Sequence, residues 1–360
     1  MQEVSDNSLI DVTEEPPQVF HPWRRYFARM LDMSIYSILW AVFLAFVLNI
    51  NVIARTGWAN VLDTFVALLI MLFIEPLLLS IFATTPGKAI FGLKVTERVR
   101  KLSYSEGLER TWMILGKGYG YNIPIYNIVR LWKSYKLCKE NEVQPWDDYT
   151  RYTIKDTKWF RPLAYIAAFA VSVAILISIA FAQLLPPNRG NITIEQFVEN
   201  HNYYARHFGI EFGGRQLDRN GRWIRVEDNI FWVNIFESNS PPEFRFVLDA
   251  NGYVREIFFE IEYHDRTQIW LGSYEQHIFI ATLAFVGAQN EVGLFSGTYS
   301  RLSNQIAGNL AWGREFTEAG VTIAWEVERS GFQAASGASF LWTNENAEGT
   351  YFSLRFSMGR

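Results

Sequence analysis

Three long runs of apolar residues dominate the first half of the chain. Residues 33–54 and 162–188 contain no charged side chain, and Glu75 alone interrupts the run from 64 to 87. At about 1.5 Å of rise per residue, a helix over each run can cross a hydrocarbon core of about 30 Å. The pattern therefore predicts transmembrane helices over about 33–54 and 64–87, and a third helix with a linker within residues 158–188.

The polar parts of this half are predicted to lie outside the hydrocarbon core. Residues 1–20 include five acidic and no basic side chains, which predicts a disordered acidic tail. Residues 88–157 form a cytoplasmic or interfacial segment, whose ambiguous part is 111–132. Because apolar, polar and basic residues alternate there, we expect this part to lie along the membrane interface rather than to cross.

The last part of the chain, residues 189–360, shows the pattern of a soluble α+β domain. Thr193 followed by Glu195 and Gln196 predicts a helix start, and Gly209 its end. Residues 249–252 predict a hairpin turn. The other predicted helices are 273–289 and 294–309, and the predicted strands are 229–237, 243–248, 253–263, 321–329, 339–343 and 350–356. The expected fold class is a membrane all-α unit, with three transmembrane helices and an interfacial segment, followed by this α+β domain.

Charge is divided unevenly between the two halves. Residues 1–185 carry 19 Lys and Arg against 16 Asp and Glu, whereas residues 186–360 carry 14 against 21. All nine lysines lie between Lys88 and Lys158. The acidic half is therefore not expected to bind nucleic acid, which requires clustered basic residues.

The same bases predict an orientation. The loop 51–60 has Arg55 as its single base, whereas fifteen Lys and Arg lie between Lys88 and Arg161. The positive-inside rule then places the N-terminus and residues 84–161 in the cytoplasm of a bacterium. Three crossings of the cytoplasmic (inner) membrane send residues 189–360 to the periplasmic side.

Three charged residues and one alanine form a stripe just before the first apolar run. Its members are Arg25, Ala28, Arg29 and Asp32. Their spacing of three, four and seven residues places them on one helix face. Two further motifs follow it, TPGKAIFGLKV over residues 85–95 and PWDDYTRYTI over residues 145–154.

This combination resembles the RDD family over about residues 21–157. The family is named for an Arg at the start of its first helix, an Asp within that helix and a later Asp. The resemblance matches these to Arg25, Asp32 and Asp148, with Asp147 as the less favoured match for the third. It implies an integral membrane protein of mostly undefined role, with transport suggested for the family and cation/proton antiport reported for some members. Residues 189–360 lie outside the resemblance.

The charged residues of the membrane unit are its candidate functional side chains. Asp32 is predicted to pair with Arg25 and Arg29 as a structural clasp. Glu75 has only apolar neighbours on its own helix, which makes it the better candidate for titration or cation binding unless another helix supplies a cation. Lys88 is expected to reach anionic headgroups or to pair with Asp148.

Two function classes follow from these features. The favoured class is a non-enzymatic envelope protein whose outer domain binds a protein or a small ligand and whose membrane unit anchors it in the bilayer. The alternative is a small transporter or cation/proton antiporter that uses Glu75 and Asp32 to move a proton or a monovalent cation. Because three helices hardly enclose a pathway, that alternative requires a homo-oligomer.

Catalytic and metal-binding patterns are weak. His201 and His207 are six residues apart and fall on different helix faces. The chain has one cysteine, Cys138, which cannot form an intramolecular disulfide. No Gly-x-Ser-x-Gly occurs. The sequence therefore predicts no enzyme, no cofactor and no metal site.

Overall fold

The computed structural model describes residues 18–97, 100–226, 241–334, 340–344 and 347–360. The chain divides into two compact units. The first comprises Met1–Leu48 and Val52–Ile179, and the second comprises Asn49–Asn51 and Ala180–Arg360. Residues 1–17 of the predicted tail and the predicted strand 229–237 lie outside the described residues.

Within the described residues, three helices are long and apolar enough to cross a membrane, as the sequence predicts. They are α1 (Pro22–Val42), which continues as a π-helical turn over Phe43–Val47, α2 (Trp58–Phe82) and α6 (Phe160–Ala182). The bounds of the first differ from the prediction of 33–54. Its start at Pro22 places Arg25, Arg29 and Asp32 inside the helix, where partners from other elements neutralise them, so a charge-free run did not mark its beginning.

The other elements of the first unit are shorter than these three helices. In chain order they are α3 (Pro86–Ile90), β1 (Leu93–Thr96), α4 (Tyr104–Met113) with a π-helical turn (Ile114–Gly118), α5 (Tyr126–Lys139) and β2 (Arg151–Ile154). Strands β1 and β2 pair antiparallel, with Leu93 opposite Ile154. Positive φ angles at Tyr121, Asn122 and Ile125 interrupt the helical conformation between the π-helical turn and α5. The part of the segment predicted at the interface is therefore two short helices rather than one long helix.

The second unit is built on a five-stranded antiparallel sheet. Its strands, in spatial order, are β5 (Arg245–Leu248), β6 (Val254–His264), β12 (Tyr351–Gly359), β9 (Val321–Ser330) and β8 (Arg314–Glu318). Smaller sheets join β10 (Phe332–Ala334), β11 (Phe340–Thr343) and β7 (Gln268–Trp270), and join β3 (Arg215–Leu217) to β4 (Trp223–Arg225). The α+β class is confirmed.

Three helices among the described residues complete this unit, and local sequence signals explain their bounds. Helix α7 (Ile194–Phe208) begins with a capping box between Thr193 and Gln196 and ends at Gly209 in the left-handed conformation, as predicted. Helix α8 (Leu271–Val286) is buried along most of its length, and α9 (Thr298–Ile306) buries one face. One side of the large sheet adds Ile257, Phe259, Ile323, Trp325, Leu354 and Phe356 to the core. The alternation of these buried residues along each strand fixes which side of the sheet faces the core.

Candidate functional site

Seven charged side chains meet inside the first unit and are here called the buried charge cluster. They are Arg25, Arg29, Asp32, Glu75, Lys88, Arg110 and Asp147. Six of them are at most 10% exposed, and the side chain of Arg25 is 12% exposed. Helices α1, α2, α3 and α4 and the loop before β2 each contribute at least one member. The cluster therefore joins five segments that are distant in sequence.

Glu75 is the carboxylate that faces the most cations. It is fully buried on α2, where its Oε1 accepts a hydrogen bond from Lys88 Nζ at 2.8 Å and its Oε2 pairs with Arg29. Arg110 Nη1 lies 3.8 Å from Oε1. Other elements thus supply the cations that the neighbours of Glu75 on its own helix cannot provide, which favours the ionised carboxylate.

Asp32 binds the TPGK turn rather than the arginines of its own helix. Its Oδ2 accepts a hydrogen bond from Thr85 Oγ1 at 2.5 Å, and its Oδ1 accepts one from the Gly87 amide at 2.7 Å. Lys88 Nζ lies 3.6 Å from Oδ2. The predicted pairing of Asp32 with Arg25 and Arg29 is therefore wrong, since both guanidinium groups reach past it to carboxylates on other elements.

The same contact explains why glycine occupies position 87. A Cβ added there would lie 2.0 Å from the Ala28 carbonyl oxygen and 3.0 Å from Asp32 Oδ1. Only a residue without a side chain lets α3 approach α1 closely enough for its amide to reach Asp32. Thr85 starts α3 by accepting a hydrogen bond from the Lys88 amide. The TPGK motif is thus a turn that carries Lys88 into the cluster.

Asp147 closes the cluster at the other end. It is fully buried, pairs with Arg25, and accepts hydrogen bonds from Arg110 Nε at 3.1 Å and Nη2 at 2.8 Å. Burial opposes ionisation, but the charges of Arg25 and Arg110 outweigh it and hold the pKa of Asp147 below its usual value. The Tyr152 ring lies 4.0 Å from the Arg25 guanidinium carbon, and its hydroxyl accepts a bond from Arg110.

Two of the sequence predictions are corrected here. Asp148 is exposed, so the carboxylate that joins the cluster is its neighbour Asp147, the match that the sequence favoured less. Lys88 is 2% exposed and pairs with Glu75 and Asp32, so it neither reaches headgroups nor contacts Asp148. Both errors arise because the partners are non-local and the sequence alone does not place β2 against α1.

Arg110 is the member that sequence reasoning missed. Gly107 precedes it by one turn of α4, and a Cβ there would lie 3.0 Å from Pro76 Cα. This close approach of α4 to α2 brings Arg110 within reach of both Glu75 and Asp147. The available signal was Gly107, one turn before Arg110 on the same helix.

The cluster holds four cations and three carboxylates among the described residues, which gives it one excess positive charge. Each carboxylate accepts hydrogen bonds from at least one group on another element. Breaking such a pair by removing one partner is costly, because the other charge stays buried. The arrangement can therefore hold the helices in one relative position and attract an anion.

A cavity of about 620 Å³ adjoins the cluster within the first unit. The first turns of α1, the π-helical turn over Ile114–Gly118, and α5 form most of its walls. Arg25 and Arg29 line it together with aromatic side chains of α1 and α5. Its volume lies within the range of about 300–1,000 Å³ that small-molecule sites occupy.

His201 and His277 of the second unit lie in an aromatic core. His201 packs against Phe212, Trp223 and Phe244, and His277 stacks on Phe212 at a ring distance of 4.3 Å. Burial lowers the pKa of His201 to about 3 and that of His277 well below its ordinary value. Within the described residues, no group of three or more His, Cys, Asp or Glu side chains is placed to hold a metal ion.

Comparison with known proteins gives one match. Residues 19–190 match the model of the RDD family. This range includes all seven members of the buried charge cluster and all three membrane-capable helices. No curated protein and no solved structure matches the chain.

Proposed function

We propose that this chain, whose residues 19–190 belong to the RDD family, is a non-enzymatic membrane protein that anchors an α+β partner-binding domain. The observation that carries the proposal is the pairing of every carboxylate in the buried charge cluster with at least one cation from another element. A proton carrier must exchange its proton with water or another acid, and carboxylates held between guanidinium and ammonium groups are poorly suited to that. The buried charge cluster is therefore a structural clasp, meaning that its ion pairs hold the helices of the membrane unit in one relative position.

The second unit supplies a surface for a partner. One face of its large sheet is turned away from the core. On this face Glu260 and Glu326 lie on either side of Arg355 of β12, and Glu262 and Glu328 lie on either side of Ser353. All four glutamates are exposed. Arg355 bonds Glu260, which leaves net negative charge on this surface. Electrostatic complementarity favours a partner with basic groups facing this sheet.

The alternative function, cation/proton antiport, is tested by flux measurements. We expect that full-length protein in vesicles loaded with a pH-sensitive dye moves no protons in response to sodium or potassium gradients, because Glu75 and Asp32 are held by cations. Protein-free vesicles give the baseline, and an added ionophore verifies that the vesicles are sealed. Proton movement that depends on the cation gradient and exceeds the baseline would overturn the anchoring role.

We also propose that the protein lies in the bacterial cytoplasmic membrane, with its N-terminus inside and its second unit outside. The support is the count of fifteen bases between Lys88 and Arg161 against a lysine-free C-terminal part. In a Cys138→Ser background, single cysteines at Thr322 and Tyr149, both exposed, report the two sides.

An impermeant maleimide added to intact spheroplasts is expected to label Thr322→Cys at once. It should label Tyr149→Cys only after the membrane is permeabilised. The reverse order of labelling would contradict the proposed orientation, and labelling of both sites in intact cells would contradict the odd number of crossings.

A further inference from the structure

The cavity beside the buried charge cluster has walls suited to an amphiphile. Trp23, Tyr26, Trp132 and Tyr135 provide aromatic surface along α1 and α5. Trp23 and Trp132 are about 60% exposed, at 59% and 61%, so the cavity opens to its surroundings. Aromatic side chains of this kind are enriched where a membrane meets water.

The charges that line this cavity all have the same sign. Arg25, Arg29 and Lys139 line it, and none of its described lining residues is Asp or Glu. Arg25 Nη1 is buried and has no hydrogen-bond partner among the described residues. Burial raises the pKa of the neighbouring Cys138 thiol, against the opposing effect of Arg25, so this thiol stays neutral and cannot balance the charge.

The charge balance of the whole buried charge cluster also indicates an uncompensated positive charge. With four cations and three carboxylates, it carries one positive charge without a counterion among the described residues. A buried charge without a counterion is costly, and an anion bound in the cavity would remove that cost. A phosphate group suits the planar donors of arginine.

The position of the cavity along α1 indicates where that anion comes from. The apolar helix that begins at Pro22 runs for 26 residues to Val47. At about 1.5 Å per residue it is about 39 Å long, which exceeds a hydrocarbon core of about 30 Å. If the helix crosses the membrane, its terminal turns lie at the level of the lipid headgroups. Pro22 and Trp23 of the first turn line the cavity.

We propose that this cavity binds the headgroup of an acidic phospholipid, with the phosphate at Arg25 and Arg29 and the glycerol and upper acyl chain against the aromatic walls. The inference extends the anchoring role by making one lipid part of the clasp. It does not depend on whether the second unit binds a partner.

The test uses full-length protein in detergent and native mass spectrometry. Phosphatidylglycerol and phosphatidylcholine with identical acyl chains are added in equal amounts. We expect at least fivefold more retained phosphatidylglycerol than phosphatidylcholine. A parallel sample receives inorganic phosphate at millimolar concentration, which should not displace the lipid because it lacks the apolar contacts.

Variants outside the charge cluster keep the test independent of folding. Ser134 lines the cavity, and Ser134→Glu should lower retention of phosphatidylglycerol at least fivefold by placing an anion there. Ser105→Glu is the matched control at an exposed position. Lys139→Gln should lower retention two- to threefold, whereas Lys133→Gln, on the same helix but outside the cavity, should not.

Three results would overturn the proposal. They are equal retention of the two lipids, displacement of phosphatidylglycerol by inorganic phosphate, and retention unchanged in Ser134→Glu. The flux experiment addresses the anchoring role by a different readout, so failure of one proposal can be distinguished from failure of the other.

Discussion

Glu75→Gln is expected to destabilise the first unit by about 3–5 kcal/mol, because it leaves buried cations without their shared carboxylate. Arg29 and Lys88 would then face a neutral amide, and the excess charge of the cluster would rise from one to two. Glutamine keeps the shape of the side chain, so the loss reports charge rather than packing. For a unit of this size, the expected fall in melting temperature is roughly 10 °C.

Cys138 provides a readout specific to this unit. It is the single cysteine of the chain, and it is buried. A maleimide that fluoresces on reaction therefore reports the temperature at which the first unit opens in detergent. Asp148→Asn removes a carboxylate from an exposed position of the same unit and should change stability by less than about 0.5 kcal/mol. Equal melting of Glu75→Gln and the unaltered protein would show that the cluster does not hold the unit together.

The second unit is expected to lose stability as the pH falls below about 6.5, because its buried histidines resist protonation. His201 has a pKa of about 3 in the folded state and about 6.5 when unfolded, so only the unfolded state takes up a proton between these values. The contribution of His201 is fully present above pH 6.5. At pH 5 about 2 kcal/mol is lost, and below pH 3 about 5 kcal/mol. The lowered pKa of His277 acts in the same direction.

Hydrogen exchange of the full-length protein in detergent measures this loss locally. Peptides from α7 and α8, which carry His201 and His277, should exchange faster at pH 5 than at pH 8, after correction for the intrinsic rate. His201→Phe keeps an aromatic ring among Phe212 and Trp223 but cannot titrate, so its pH dependence should be flatter. His264→Phe, at an exposed position, is the control. An unchanged pH dependence in His201→Phe would contradict the assignment.

Elements of the second unit that rest on local signals were predictable from sequence. The capping box at Thr193 and Gln196 and the glycine at 209 bound α7, and residues 249–252 form the turn between β5 and β6. Strand β8 and the short strands β3, β4, β7 and β10 were not predicted. Each has three to five residues, too few for an alternating pattern to stand out.

The membrane unit shows where local patterns stop being informative. Apolar runs identified three helices, but the charged first turns of α1 hid its start at Pro22. The antiparallel pairing of β1 with β2 joins residues nearly sixty positions apart, and no periodicity in four-residue strands reveals it. That pairing helps to place Asp147 rather than Asp148 beside Arg25.

The sequence predicted most of the residues of the candidate site but not which of them pair with each other. Five of the six residues that the sequence selected belong to the buried charge cluster, yet their partners differ from those expected. Along a helix, Arg29 lies close enough to Asp32 to suggest a pair, whereas in the fold the TPGK turn occupies Asp32 and leaves Arg29 to Glu75. Competition among several partners in three dimensions decides such pairings, and one helix face does not contain that information.

The most direct test of the central claim is a double-mutant cycle on Arg29 and Glu75. The stability of each variant is measured from the labelling of Cys138 as the first unit unfolds on heating. If the two side chains form a buried ion pair, Arg29→Met and Glu75→Gln together should cost about 2–3 kcal/mol less than the sum of the single variants, since the double variant leaves neither Arg29 nor Glu75 as a charge without the other. Single losses that add to within about 0.5 kcal/mol would mean that the two residues act independently, and the clasp would be contradicted.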